Sequence, residues 1–269
     1  MTKFRGRGKE RRLVASVVTL ASLFLVACGP AKSTTPSSTT HLTLPASTST
    51  STTTTPASTS TTAMAGIAPY LALWPFNSVG EVESWQQAYG SAGHQPWHLD
   101  AGSTALDFTE SYLGYNEVNI VVGTTIDATG AHVAVGFHTT NGATSTAAVV
   151  HLVRWGTESD APWEVVGTDD TTFSLTTPPY GAAVSSPLRV GGTITGVDES
   201  ISVTVHQGIS SAAIGSFCCM PAGGAAAPWS ATVSFAGKTA PVLTVAAATG
   251  GHVQAVERFT ITGVHSVTG

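Results

Sequence analysis

Charged side chains are scarce in this chain of 269 residues, of which 11 are Lys or Arg and 16 are Asp or Glu. Six of the basic residues and one of the acidic residues fall in 1–27, which leaves five basic and 15 acidic side chains and a formal net charge of −10 in the remainder. Binding to a phosphate backbone needs clustered Lys and Arg. The remaining cations are scattered along the sequence: Lys32, Arg154, Arg189, Lys238 and Arg258. The composition therefore argues against nucleic acid as a partner.

Motifs for nucleotide binding and acyl transfer are also missing. The Gly-rich stretch 222–224 lacks the Lys and the strand-to-helix context of a phosphate loop. No serine lies in a nucleophile elbow. The neighbouring Asp169 and Asp170 indicate a turn rather than a general acid and its base. The sequence thus favours a non-enzymatic protein without a cofactor.

The apolar run near the N-terminus is too short to span a bilayer. Leu13–Ala27 has about 15 residues, whereas a transmembrane helix needs about 20. It follows a basic segment, as the apolar region of a signal peptide does. The box Leu25-Val26-Ala27-Cys28 is typical of a bacterial lipoprotein signal. We therefore expect 1–27 to be removed and Cys28 to carry acyl chains such as palmitate, on the extracytoplasmic face of the cell membrane. The alternative is an uncleaved signal anchor with an incidental Cys.

Residues 31–63 are almost entirely Thr, Ser, Pro and Ala. Because this composition has no apolar period, the segment cannot offset its chain entropy by burying surface. The sequence predicts a disordered tether over 28–65, and a flexible coil of this length would separate its ends by roughly 30 Å. O-glycosylation of the tether remains open.

The remaining residues divide into an expected α+β domain over 66–176 and an expected all-β domain over 178–269, because Pro178-Pro179 separates two different patterns. In the first domain, Ser78 and Glu81 have the spacing of a capping box. A short helix should follow and stop near Gly90, and a second helix is expected over 103–113, with Leu106, Thr109 and Leu113 on one face.

Four strands should follow these helices, in a curved antiparallel sheet that the helices cover. In the second of them the residues that should point to the core alternate with His132 and His138. The expected strands are Val118–Ile126, Ala131–Phe137, Thr146–Trp155 and Trp163–Val166. Cystatin-like and nuclear-transport-factor-like cones have this order of elements, an analogy of architecture that says little about function.

The second domain shows short alternating strands separated by Gly, Pro and Asp turns, which predicts an antiparallel sandwich. Ile201, Val203 and Val205 should face its core, so the opposite face, with His206, is expected to be solvated. The expected strands are Val184–Val190, Ile201–His206, Ile214–Cys218, Trp229–Phe235, Leu243–Ala247 and Val253–Thr262.

Four stretches of this second domain carry a family resemblance: 181–192, with its Ser-Ser-Pro-Leu, 199–205, 229–235 and 255–264. They resemble the immunoglobulin-like domain associated with bacterial spore-germination proteins, in an envelope lipoprotein of the actinobacterial type. The resemblance implies a small β-sandwich of the cell envelope without a catalytic motif. Together with the lipoprotein signal and the tether, it leads us to expect a module that binds or spaces another envelope protein or a wall polymer. The stretch 217–221 departs from the pattern and is expected to be an insertion between strands.

Cys218 and Cys219 are the two thiols that remain once Cys28 is acylated. In an oxidising exterior they should not both stay free. A structural bridge between them is the favoured interpretation. A redox switch and intermolecular pairing are the alternatives.

One segment is a candidate for chemistry, because it holds two imidazoles and a carboxylate within seven residues: His94, Trp97, His98 and Asp100. His-x3-His is a spacing that can supply two zinc ligands on a helix. Pro96 argues against such a helix. The favoured interpretation is a loop in which Trp97 enters the core and the histidines bond the backbone. The alternative function is a cup that binds a small ligand or hydrolyses it with a metal.

Overall fold

The computed structural model describes residues 67–237 and 240–267. This part of the chain is mixed α/β and largely β, with two short helices followed by two sheets whose strands are mostly antiparallel. None of its helices is long and apolar enough to cross a membrane. The expected signal peptide, the lipidated Cys28 and the tether over 28–65 lie outside the described residues.

Helix α1 spans Val79–Ala92 and begins at the expected capping residue. The Ser78 hydroxyl accepts a hydrogen bond from the Glu81 amide at 3.3 Å. The Glu81 carboxylate in turn accepts from the backbone N–H of Asn77 at 2.7 Å, one residue before the amide that a capping box uses. The helix ends at Gly93, whose φ of 64° is the left-handed conformation that glycine adopts readily, so α1 is slightly longer than expected.

Helix α2 spans Ala101–Asp107 and continues into a π-helical turn over Phe108–Tyr112. It begins two residues before the expected start, because the Asp100 carboxylate accepts a hydrogen bond from the Ser103 amide at 2.7 Å. The expected face is partly wrong, since Leu106 is only half-buried. Phe108 and Tyr112 form the centre of the buried face instead, because their larger rings bury more apolar surface.

The first sheet is the expected meander of four antiparallel strands. Its strands, in spatial order, are β1 (Ile120–Asp127), β2 (Gly130–His138), β3 (Thr144–Arg154) and β4 (Trp163–Thr168). The alternation expected for β2 is confirmed, because its core-facing residues are buried: Ala131, Val133, Val135 and Phe137. Residues 71–76 run along the free edge of β4, where the Val165 carbonyl accepts from the Leu73 amide and the Val165 amide donates to Trp74.

The second sheet has the order β5-β9-β8-β6-β7, in which only the pair β5 and β9 is parallel. Its strands are β5 (Ala183–Val184), β6 (Leu188–Gln207), β7 (Ala213–Val233), β8 (Val242–Thr249) and β9 (Arg258–Ser266). The prediction of six short strands is wrong in three places. The expected strand Val184–Val190 is divided between β5 and β6, and β6 also contains the expected strand Ile201–His206. Ile214–Cys218 and Trp229–Phe235 lie largely within one long strand, so 217–221 is not an insertion between strands, and β9 begins only at Arg258.

Both faces of β8 are buried, and this strand therefore belongs to two apolar clusters. Leu243, Val245 and Ala247 pack with residues of β6 and β7. Ala246 and Ala248 pack with the α2 region and with β2, β3 and β4. The second sheet is thus buried on the side that the sequence predicted to be solvated.

His206 shows the consequence of this double burial. Its side chain is buried, its ring centroid lies 5.1 Å from that of Tyr112, and its Nε2 lies 3.1 Å from the hydroxyl of Thr204. Burial lowers the pKa of His206. The prediction of a solvated His206 is wrong, because the π-helical turn covers the outer face of β6, whereas His138 is exposed as expected.

Candidate functional site

The expected site between the helices forms a short 3₁₀ turn over Pro96–Leu99. His98 is buried in an aromatic cluster, with its ring centroid 3.6 Å from that of Trp97, 4.9 Å from that of Phe76 and 5.2 Å from that of Trp85. Trp97 is half-buried and stacks on Trp74 at 5.5 Å. The expectation that Trp97 enters the core is wrong, because the buried ring of this segment is that of His98.

The other two members of this expected site point elsewhere. His94 is exposed, and Asp100 is occupied by its cap at the start of α2. Within residues 67–237 and 240–267, no group of three His, Cys, Asp or Glu side chains could hold a metal ion. The structure therefore does not bring His94, His98 and Asp100 together as a ligand set.

His98 is a neutral core residue at physiological pH. Burial, aided by the nearby His94, lowers the pKa of His98 to about 4. Its Nδ1 has no hydrogen-bond partner among the described residues. An unpaired buried ring nitrogen cannot compensate the cost of burying an imidazolium, so protonation of His98 opposes folding.

We expect His98→Leu to remove part of the acid sensitivity of the protein. Between pH 6.5 and pH 4 the unfolded chain binds a proton at residue 98 that the folded chain does not, so acidification through this window lowers the stability of the wild type. The loss should be about 2–3 kcal/mol larger in the wild type than in the variant. Urea unfolding followed by tryptophan fluorescence at pH 7 and pH 4 measures it.

The control is His138→Leu, which changes an exposed imidazole and should keep the acid response of the wild type. An equal loss of stability in the wild type and in His98→Leu would show that His98 titrates alike in the folded and unfolded chains.

Glu164 is a buried acid that the sequence analysis missed. Its side chain is fully buried on β4, and its Oε2 accepts a hydrogen bond from the Phe76 amide at 3.2 Å. Its Oε1 has no partner in the described part of the chain. Burial raises the pKa of Glu164 well above the usual range of a Glu side chain. A Glu among three apolar residues, in the stretch Trp163-Glu164-Val165-Val166, was the one available signal.

His132 belongs to a hydrogen-bonded chain at the turn between β1 and β2. Its Nδ1 lies 2.7 Å from a carboxylate oxygen of Asp169, and its Nε2 lies 3.1 Å from the hydroxyl of Thr129. Acid, imidazole and hydroxyl in this order are the parts of a nucleophilic triad. Here, however, the Thr129 hydroxyl donates to Asp127 at 2.6 Å, and the Thr129 amide donates to the same oxygen. The proton of the hydroxyl is thus held by the turn rather than by His132.

These bonds lower the pKa of Asp127, the hydroxyl of Thr129 contributing most. Asp127 forms an Asx turn, in which its carboxylate accepts a hydrogen bond from the backbone amide two residues ahead. The network fixes the turn and orients His132, which is half-buried rather than solvated. Asp169, expected to be a turn residue, is the partner that holds the imidazole.

A groove of about 360 Å³, with both polar and apolar side chains in its walls, lies beside this network. His151 forms part of its wall and stacks on His132, with a distance of 4.6 Å between ring centroids and 15° between ring planes. The lining comes from separate segments of the chain: Tyr70, His151, Val166, Gly167, Thr168, Asp170, Leu175, Thr176, Tyr180, Thr260, Ile261 and Thr262. A second cavity of about 580 Å³ shares Thr176 with it.

Cys218 and Cys219 are joined to each other by a disulfide within β7. Both side chains are exposed, and neither lines the groove. The bridge therefore lies on the surface of a paired strand.

Comparison with known proteins finds no match for this chain, whether among family models, curated proteins or solved structures.

Proposed function

We propose that the chain is an envelope lipoprotein, anchored through Cys28 on the extracytoplasmic face of the cell membrane, whose folded part binds or spaces other envelope components without catalysis. The observation that carries this proposal is the box Leu25-Val26-Ala27-Cys28 after a basic and apolar leader. The Ser/Thr/Pro-rich tether that follows supports display at a distance from the bilayer.

The finer fold that belongs to this proposal is an immunoglobulin-like sandwich over 178–269, behind an α+β domain over 66–176. The length of β6 and β7 supports it, because residues from both ends of this hairpin meet in one apolar cluster. Val190 and Trp229 come from one end of the hairpin, and Val203 and Val205 come from the other. The family resemblance to the germination-associated module points the same way.

The candidate catalytic side chains are buried or already hydrogen-bonded within the fold, and this supports a role without chemistry. Asp100 caps α2, His98 is a neutral core residue, and the hydroxyl nearest to His132 is bonded to Asp127. Surface binding needs no such group, and the groove beside His151 offers a recessed polar surface for it.

Replacement of the acceptor thiol tests the anchor. In cells fed an alkyne analogue of palmitate, we expect the full chain to take up label and to sediment with membranes. Cys28→Ser should lose nearly all of the label and leave the membrane fraction, because thioether attachment needs the sulfur. The double variant Cys218→Ala, Cys219→Ala retains Cys28 and should stay labelled and membrane-bound. Labelling of Cys28→Ser at the wild-type level would refute the anchor.

The binding role is tested in the same cells. Crosslinking of the anchored wild type at native abundance should yield a discrete adduct with another envelope component. If only the monomer is recovered, the binding role is abandoned while the anchor stands.

A further inference from the structure

The groove beside β4 and β9 presents hydroxyl groups and aromatic rings next to the aliphatic side chains of Val166, Leu175 and Ile261. The rings belong to Tyr70 and Tyr180, and the hydroxyls to Thr168, Thr176, Thr260 and Thr262. Asp170 adds one exposed carboxylate, and His151 adds an imidazole. Such groups can donate and accept hydrogen bonds with a ligand that carries many hydroxyls, while tyrosine rings cover its apolar faces.

The walls of this groove are held in place by the fold. The Tyr180 hydroxyl accepts a hydrogen bond from the Leu71 amide at 2.7 Å. The Thr168 hydroxyl accepts from the Ile261 amide at 3.0 Å and lies 3.1 Å from the hydroxyl of Thr260, so it ties β4 to β9. His151 is held between the Tyr70 ring, to which it is nearly perpendicular, and the His132 ring, on which it stacks. A groove that is already formed loses little conformational entropy on binding.

The charge of the groove restricts its ligand. Among the described residues that line it there is no Lys or Arg, and Asp170 is a carboxylate. A phosphate, sulfate or carboxylate group would enter without a cationic partner and next to a negative charge, which is unfavourable. An uncharged ligand with many hydroxyls meets no such penalty. The volume, about 360 Å³, lies within the range of sites that bind small molecules.

We propose that this groove binds an uncharged polysaccharide segment of the cell envelope. Asp170 accepts hydrogen bonds from sugar hydroxyls, and the rings of Tyr70 and Tyr180 pack on the sugar. This inference rests on the proposed display role, for which it names the class of partner.

The test uses the polysaccharide of the producing cell's own wall, treated with protease and separated by anion exchange into an uncharged and an anionic fraction. The full lipid-anchored chain, purified in detergent, is measured against each immobilised fraction at equal mass. We expect binding to the uncharged fraction. Asp170→Ala should weaken it about tenfold, because a hydrogen bond to a charged group is lost.

Glu83→Ala is the matched control, since Glu83 is an exposed carboxylate on α1 that does not line the groove, and it should leave binding unchanged. Tyr180→Ala should also weaken binding. For Asp170→Ala, tryptophan fluorescence and the urea midpoint should match those of the wild type, which would show that the fold is intact. Equal binding to both fractions, binding to neither, or full binding by Asp170→Ala would each overturn the proposal. None of these results affects the labelling of Cys28, so a failure here is distinct from a failure of the anchor.

Discussion

Phe108→Ala should lower the free energy of unfolding by about 3–5 kcal/mol, the range for a large apolar side chain lost from a core. The Phe108 ring is fully buried at the start of the π-helical turn, 6.0 Å from Trp74 and 5.2 Å from Tyr112 between ring centroids. It belongs to the cluster that holds β8 against the first sheet. Its removal therefore leaves a cavity where both sheets and the helical segment meet.

Urea unfolding at pH 7, followed by tryptophan fluorescence, measures this loss. Leu106→Ala is the comparison within the same helix, and because Leu106 is half-buried we expect a loss of about 1–2 kcal/mol. Phe108→Leu, which keeps most of the volume, should recover more than half of the stability lost in Phe108→Ala. A loss below that of Leu106→Ala would contradict the position of Phe108 at the centre of the core.

Arg258→Met should destabilise the second sheet by about 2–3 kcal/mol, because it leaves the mostly buried carboxylate of Glu199 without its cation. The Arg258 guanidinium lies 2.5 Å from Glu199, and it also donates to the Thr195 carbonyl at 2.7 Å and to the Thr172 hydroxyl at 3.1 Å. These bonds connect the start of β9 to the middle of β6 and to the segment between β4 and β5. The Met side chain keeps the aliphatic packing and removes the charge.

A double-mutant cycle with Glu199→Gln isolates the ion pair. The double variant should be more stable than Arg258→Met alone, since a neutral amide is cheaper to bury than an unpaired carboxylate. Arg189→Met removes an exposed cation from β6 and should change stability by less than about 0.5 kcal/mol. Additive effects of the two single substitutions would show that Arg258 and Glu199 do not interact.

Local sequence signals were sufficient where one element is stabilised by its own residues. The Ser78 cap identified the start of α1, and the alternation in β2 identified its buried face. Both depend on residues within a few positions of each other. They could therefore be predicted without knowledge of what packs against the element.

Long-range packing explains what the sequence did not reveal. Alternation in β6 distinguishes two faces but does not show that a second layer covers the outer one, so the burial of His206 was missed. Glycines expected to form turns lie inside β6 instead. At Gly192 a side chain would collide with the Ser174 carbonyl oxygen, so the glycine is needed for a close approach of backbones rather than for a turn.

For the candidate sites too, the sequence showed which residues are neighbours along the chain but not which side chains meet in the fold. The sequence placed His94, His98 and Asp100 close together along the chain, but their side chains do not converge: His94 is exposed, His98 is buried and Asp100 caps α2. The groove could not be found from sequence. Tyr70, His151, Tyr180 and Thr260, which line it, are far apart in the chain.

The edge pairing of residues 71–76 would have a mechanical consequence under the proposed anchoring at Cys28. Tension along the chain would then enter the described part at Ile67 and act on the hydrogen bonds between Leu73, Trp74 and Val165. Because these bonds run across the strand axis, a pull along the segment shears them together instead of opening them one by one. The hydrogen bond between the Leu71 amide and the Tyr180 hydroxyl lies closer to the tether along the chain. Tyr180 also lines the groove. Stretching of the tether and occupation of the groove would thus act on the same tyrosine.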